Sequence, residues 1–138
     1  MNNFGLIVKR LSPEDDLKKE IACLAKINKI TSGCIINAVG SLTTMKVRTD
    51  ASMGREVIKE YGKLEIVSLI GTIGEYGSHL HIHIAGADID GQVFGGHLCE
   101  GSIVKTTVEL MILAFPDLHF LSERDPSTGF KELLVKQV

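Results

Sequence analysis

Ser78-His79-Leu80-His81-Ile82-His83-Ile84 is the stretch on which the reading of this chain turns, because histidine and aliphatic residues alternate in it without a break. Successive side chains of a β-strand point to opposite faces. The spacing therefore predicts a strand with three imidazoles on one face and Leu80, Ile82 and Ile84 on the other. The aliphatic face packs on a core, which leaves the imidazoles facing a cavity, a subunit interface or solvent. Gly86-Ala87-Asp88-Ile89-Asp90-Gly91 reads as a turn and Gln92-Val93-Phe94-Gly95-Gly96-His97-Leu98 as the returning strand. A three-residue loop at 88–90 pairs His97 with His81, on the imidazole face. A two-residue turn at Asp90-Gly91 pairs it with Ile84 and turns it away. The Asp-rich stretch with its closing glycine favours the odd-length loop, which brings a fourth histidine beside the row. Gly95-Gly96 lets a neighbouring backbone approach or leaves room for a bound molecule.

Outward from the hairpin, residues 4–11 read as a strand rich in branched side chains. Ser12-Pro13-Glu14-Asp15 then announces a helix, with Ser12 as cap and Pro13 in the first turn. Leu17, Ile21, Leu24 and Ile27 form its apolar stripe. Strands are expected from Cys34 to Leu42, with a Gly40-Ser41 break, and at 64–74, 78–85, 92–98, 104–115 and 130–136. In the 64–74 strand, Leu64, Ile66, Ser68 and Ile70 share one face, and Glu65, Val67, Leu69 and Gly71 the other. The polar segment 54–62 reads as a connection or short helix. One long N-terminal helix and many strands without βαβ alternation give the class: α+β, a mixed, mainly antiparallel sheet in a single domain spanning 1–138.

At 138 residues and 44% apolar composition the chain can build a core without staples. No Trp, two Tyr and five Phe leave little for a base-stacking platform. A net charge of −2 lacks the basic excess of a protein that grips a DNA backbone unaided. Cys23, Cys34 and Cys99 have no metal or redox spacing and read as small buried hydrophobes. Met1-Asn2-Asn3-Phe4 does not open a signal peptide, and no apolar run spans a bilayer, so a cytoplasmic location and no membrane partner are expected.

The chemistry concentrates in the histidines. Three imidazoles with a free fourth position suit a divalent transition metal, zinc foremost, with Ni²⁺, Co²⁺ and Fe²⁺ chemically open. The competing reading is a hydrogen-bonded polar patch or interface. Glu109 interrupts an apolar strand, as an outer partner of a ligand histidine or as an ion-pair partner of Lys105, Arg10 or another subunit. No phosphate loop, dinucleotide fingerprint or nucleophile elbow is present. Ser41, Ser68 and Thr72 have no visible base, so no catalytic residue is assigned.

Several of these stretches resemble the PPC domain, named for "plants and prokaryotes conserved". They are Glu65 to Ile73, His79-Leu80-His81, Gly91 to Leu98 and Asp125 to Leu133, with Arg10 and Gly40-Ser41-Leu42. The resemblance implies a homotrimer and a metal set of His79, His81 and His97, with His83 outside the pattern. Plant members carry the domain beside AT-hooks that enter the minor groove. No such Arg-Gly-Arg-Pro core occurs here, so DNA binding is expected to be weak. Two functions follow as expectations: a trimeric, DNA-associated or regulatory binding protein, or a metal-dependent enzyme or small-molecule sensor acting at the histidines.

Overall fold

In the computed structural model, residues 5–50 and 56–138 are described. In chain order the elements are β1 (Gly5–Leu11), α1 (Leu17–Ile27), β2 (Ser32–Asp50), β3 (Val57–Tyr61), β4 (Leu64–Gly74), β5 (His79–Ala87), β6 (Val93–Leu98), β7 (Ile103–Ala114), β8 (Leu118–Arg124) and β9 (Lys131–Gln137). The main sheet runs β1-β7-β2-β4-β5-β6, with β3 alongside β2. β2, 19 residues long, pairs with β7 and β4 through its first part and with β3 and β6 through its second. The path β2-β4-β5-β6 thus closes on itself, and β8 and β9 form a separate two-stranded sheet.

This corrects the expected class. Every strand pairing among the described residues is antiparallel, so the sheet is not mixed. The N-terminal helix is not long: it has 11 residues, and strand dominates. Ser12 does not cap it. Asp15 turns back to accept the Ser12 amide at 2.8 Å, and Glu14 adopts a left-handed φ of 71°, so the Pro13 segment is spent in a turn. Asp16 is the cap, accepting the amides of Lys18 and Lys19. The same carboxylate accepts Gly101 N–H at 2.7 Å, and Leu17 N–H reaches the Ser102 carbonyl, which pins the helix start to the β6–β7 connection. The far end closes where Lys29 takes a φ of 52° and Ile30 N–H bonds the Ala25 carbonyl. Leu17, Ile21 and Ala25 are buried, while Ile27, expected in the stripe, is 70% exposed.

Three further differences are local. Part of the 54–62 segment is a strand, β3, added to the second part of β2; Gly54 and Arg55 lie outside the described residues, as do Met1–Phe4 and the leader reading made on them. β8 has no counterpart among the expected strands. In β4 a bulge opposite the Ile66/Ser68 step reverses the alternation, so Leu69 and Ile73 point inward and Ile70 outward. Cys23 is exposed rather than buried. Cys34 is half-buried, and burial raises its thiol above the usual value.

One contiguous core runs from Leu17, Ile21 and Ala25 of α1 through Leu42, Met45 and Val47 of β2 to Ile82, Ile84 and Leu98 of the β5–β6 hairpin. No helix among the described residues is long and apolar enough to cross a membrane.

Candidate metal centre

Burial follows the alternation of β5. Ile82 and Ile84 are buried, and His81 and His83 are exposed on the opposite, outer face. The strand is held on both edges, by β4 and by β6. The β5–β6 loop is odd in length, as its chemistry suggested, but longer. Ala87 pairs with Val93, leaving residues 88–92 as the loop. Asp88 organises it: its Oδ1 accepts the amides of Asp90 and Gln92, both at 2.9 Å. Gly91 supplies the left-handed residue at φ 77°.

The register therefore pairs His97 with His83, not His81. His97 remains on the imidazole face, because three- and five-residue loops share parity, but it sits one residue pair further along the strand. The ring centroids of His81, His83 and His97 lie 5.1–5.5 Å from one another. One ring nitrogen from each falls within 4.8 Å of the other two. An ion bound about 2.0–2.1 Å from three tetrahedral nitrogens needs them about 3.3 Å apart, a contraction within the range of side-chain rotation. The set fits a metal with an open fourth position.

His83, placed outside the family pattern by the sequence reading, belongs to the cluster with His81 and His97. His79 begins β5 opposite Gly74 and is not among the three. Glu109 is exposed on β7, opposite Arg10 of β1 and Val39 of β2. β4 and β2 lie between it and the histidine strand, roughly 14 Å at the usual strand spacing of about 4.8 Å.

The residue that sequence reading missed is Arg48. The second part of β2 carries it opposite His97, with Nη2 3.4 Å from His97 Nδ1 and Nη1 3.2 Å from Glu56 Oε1. Gly96 makes the strand approach possible, since a Cβ there would lie 2.7 Å from the Arg48 carbonyl oxygen. Burial, then the charges of Arg48, His81, Lys18 and His83, lower the His97 pKa to about 4. His83 is lowered too, by burial and then by His81 and Arg48. Both rings are thereby favoured in the neutral form that ligates metal.

Comparison with known proteins agrees with this architecture. The sequence profile of the Plants and Prokaryotes Conserved (PCC) domain matches residues 1–116. A bifunctional protein GlmU of Synechococcus sp. (strain JA-2-3B'a(2-13)) is 37% identical over 129 residues, 94% of this chain but 20% of that protein. The chain thus spans about one fifth of that relative's length. Among solved structures, a hypothetical protein of Salmonella cholerae-suis superposes with a TM-score of 0.90 at 28% identity, covering 99% of this chain and 96% of that one. A protein of Archaeoglobus fulgidus described as metal-containing gives 0.82 at 26% identity, covering 97% and 96%. Proteins of Ralstonia eutropha and Bacteroides thetaiotaomicron, described as candidate DNA-binding proteins, share the fold at 21% and 20% identity with TM-scores of 0.82 and 0.83. They cover 92% and 97% of this chain, and 89% and 97% of their own. With the profile matched over most of its length, the chain belongs to the Plants and Prokaryotes Conserved (PCC) domain family.

Proposed function

We propose that this chain binds one divalent transition metal ion, zinc foremost, through His81, His83 and His97, and works as a metal-dependent binding module whose open coordination position receives a small ligand. The observation that carries this reading is the convergence of three ring nitrogens within 4.8 Å on one strand pair. The metal-containing description of the Archaeoglobus relative supports it. Glu109 is no part of the ligand set within one chain.

The assembly proposed is a homotrimer. Its support is the outer sheet face, where Leu6, Val8, Ile36, Val39 and Val67 are each at least half exposed. Apolar side chains gathered on one face mark an interaction surface. A DNA-associated regulatory role is the second reading, favoured by the descriptions of the Ralstonia and Bacteroides structures. The net charge of −2 weighs against unaided binding.

The test is elemental analysis of untagged protein, before and after incubation with Zn²⁺ or Co²⁺, together with light scattering. About one ion per chain is expected in a particle of three chains. His83→Ala and His97→Ala should each lower metal affinity on the order of a hundredfold or more, since even changes outside the ligand set cost 10–100-fold. His79→Ala should keep the metal. Wild-type protein that takes up no ion, or loss of the ion in His79→Ala with retention in His83→Ala, overturns the assignment.

A further inference from the structure

Arg48 faces His97 across the β2–β6 pair, His97 faces His83 across β5–β6, and His83 faces Ile70 across β4–β5. The four stand in one row across four strands, with side chains on the same side of the sheet. Arg48 Nη2 lies 3.4 Å from His97 Nδ1. A guanidinium only donates, so Nδ1 accepts and the neutral ring carries its proton on Nε2. That arrangement and metal ligation exclude one another. An ion at Nδ1 takes the lone pair that Arg48 uses. An ion at Nε2 puts the ring proton on Nδ1, where it meets a second donor. Loading the site therefore releases the guanidinium from His97 while β2 still holds Arg48 next to the ion.

Once released, Arg48 has Glu56 as its described partner, an exposed pair at 3.2 Å of a kind that contributes little. The ligand set contains no carboxylate. A divalent ion on three neutral imidazoles beside a guanidinium leaves positive charge uncompensated. At the other end of the row a recess of about 200 Å³ is lined by Ile70, Gly71, Thr72, His81 and His83. Thr72 stands opposite His81.

We propose, resting on the metal reading above, that the loaded site binds a small carboxylate, with one oxygen at the ion's open position and the other held by Arg48. Its tail of a few carbons lies in the recess over Ile70, with a hydroxyl or oxo substituent within reach of Thr72. A planar carboxylate has two oxygens, matched by one ion and one guanidinium fork. Phosphate is held elsewhere by several amides or a helix N-terminus, and this row offers one arginine and one hydroxyl.

The experiment uses the full chain loaded with Co²⁺, whose visible absorption reports the coordination sphere. Acetate, 2-hydroxypropanoate and inorganic phosphate are titrated separately. The cobalt spectrum before any titration tests the metal reading; the response to each anion tests this inference. A saturable change with the carboxylates is expected, tighter for 2-hydroxypropanoate than acetate and tighter for both than phosphate. Arg48→Gln should weaken carboxylate binding about tenfold or more while keeping cobalt, the loss expected for one charge-assisted hydrogen bond. Arg48→Lys should restore part of it, which a merely structural role for Arg48 would not produce. Tighter phosphate binding, no anion response, or an unchanged carboxylate affinity in Arg48→Gln each overturns the proposal. A chain that takes up no cobalt overturns this inference and the metal reading together.

Discussion

The molecule contains two hairpins that close their loops in the same way and hold their side chains very differently. β5–β6 turns on Asp88 with Gly91 left-handed, and β8–β9 turns on Asp125 with Gly129 left-handed. Each aspartate accepts amides from its own loop, the local device that bends a chain without help from the rest of the fold. Their edges separate them. β5 also pairs with β4, and β6 with β2, whereas β8 and β9 pair only with each other. Ile82, Ile84 and Leu98 of the first hairpin are almost fully buried. Of the second hairpin's residues, Phe120 reaches the core while Leu133 and Val135 stay exposed. Four histidines, His79, His81, His83 and His97, sit on the first hairpin's outer face, the last three of them clustered, and one, His119, sits on the second. A turn motif makes a hairpin, but pairing on both edges and a buried inner face hold imidazoles at ligating distance.

The contrast can be broken most directly from the buried side. Ile82→Ala removes a side chain that is 1% exposed and leaves a cavity behind the histidines. The expected cost is about 2–4 kcal/mol of unfolding free energy. Leu133→Ala, at a site 44% exposed, should change stability by less than about 0.5 kcal/mol. Denaturant titration of the two variants checks this. Equal losses would mean that the β8–β9 hairpin is as firmly built as β5–β6.

How much of this was legible differs from residue to residue. The period of two in β5 and the parity of the turn were readable, because both are local. They placed His97 on the imidazole face. The register was not readable: three- and five-residue loops differ by one residue pair, and the longer loop is the one whose amides reach Asp88 as far as Gln92 and whose returning strand meets β2. His79 entered the expected set through the family resemblance, whereas the register seats His97 opposite His83. Arg48 was illegible for the same reason, since it reaches His97 through a 19-residue strand that changes partners along its length. In β4 the bulge made strict alternation misleading after Ile66. At the helix, Pro13 and Ser12 looked like a start. Asp16 prevailed because it binds the helix amides and Gly101 together, a contact 85 positions away.

A smaller effect tests the electrostatics of the first hairpin. The His97 pKa lies at about 4 in the folded protein, below the ordinary 6.5, chiefly through burial and then Arg48. Between those values the unfolded chain takes up a proton on this ring that the native chain refuses. Stability from His97 is therefore complete above pH 6.5, declines as pH falls toward about 4, and is constant below that. His83, shifted in the same direction, adds to the decline. Metal-free wild type should thus lose stability on acidification more steeply than His97→Gln, which has no such proton to refuse. Denaturation series from pH 7.5 to about 4 compare them. Parallel curves would place His97 in an environment like that of an exposed histidine.

The least effect is expected at the two turns themselves, and it separates a hairpin that carries a site from one that does not. Asp88→Ala removes two amide contacts at 2.9 Å and should cost about 1 kcal/mol. Because β4 and β2 grip the outer edges, the strands should stay paired, with the loop end loosened and His97 less closely held against His83. Metal affinity should then fall a few-fold, far less than on deleting a ligand. Asp125 is bound to the Ser127 hydroxyl and amide, which hold its carboxyl below the usual range. Asp125→Ala should disturb its own turn and leave metal affinity unchanged, since nothing in the β8–β9 sheet pairs with the strands bearing the imidazoles. Cobalt titration of both variants decides it. An equal loss of affinity in Asp125→Ala would show that the second hairpin supports the metal centre through contacts other than strand pairing.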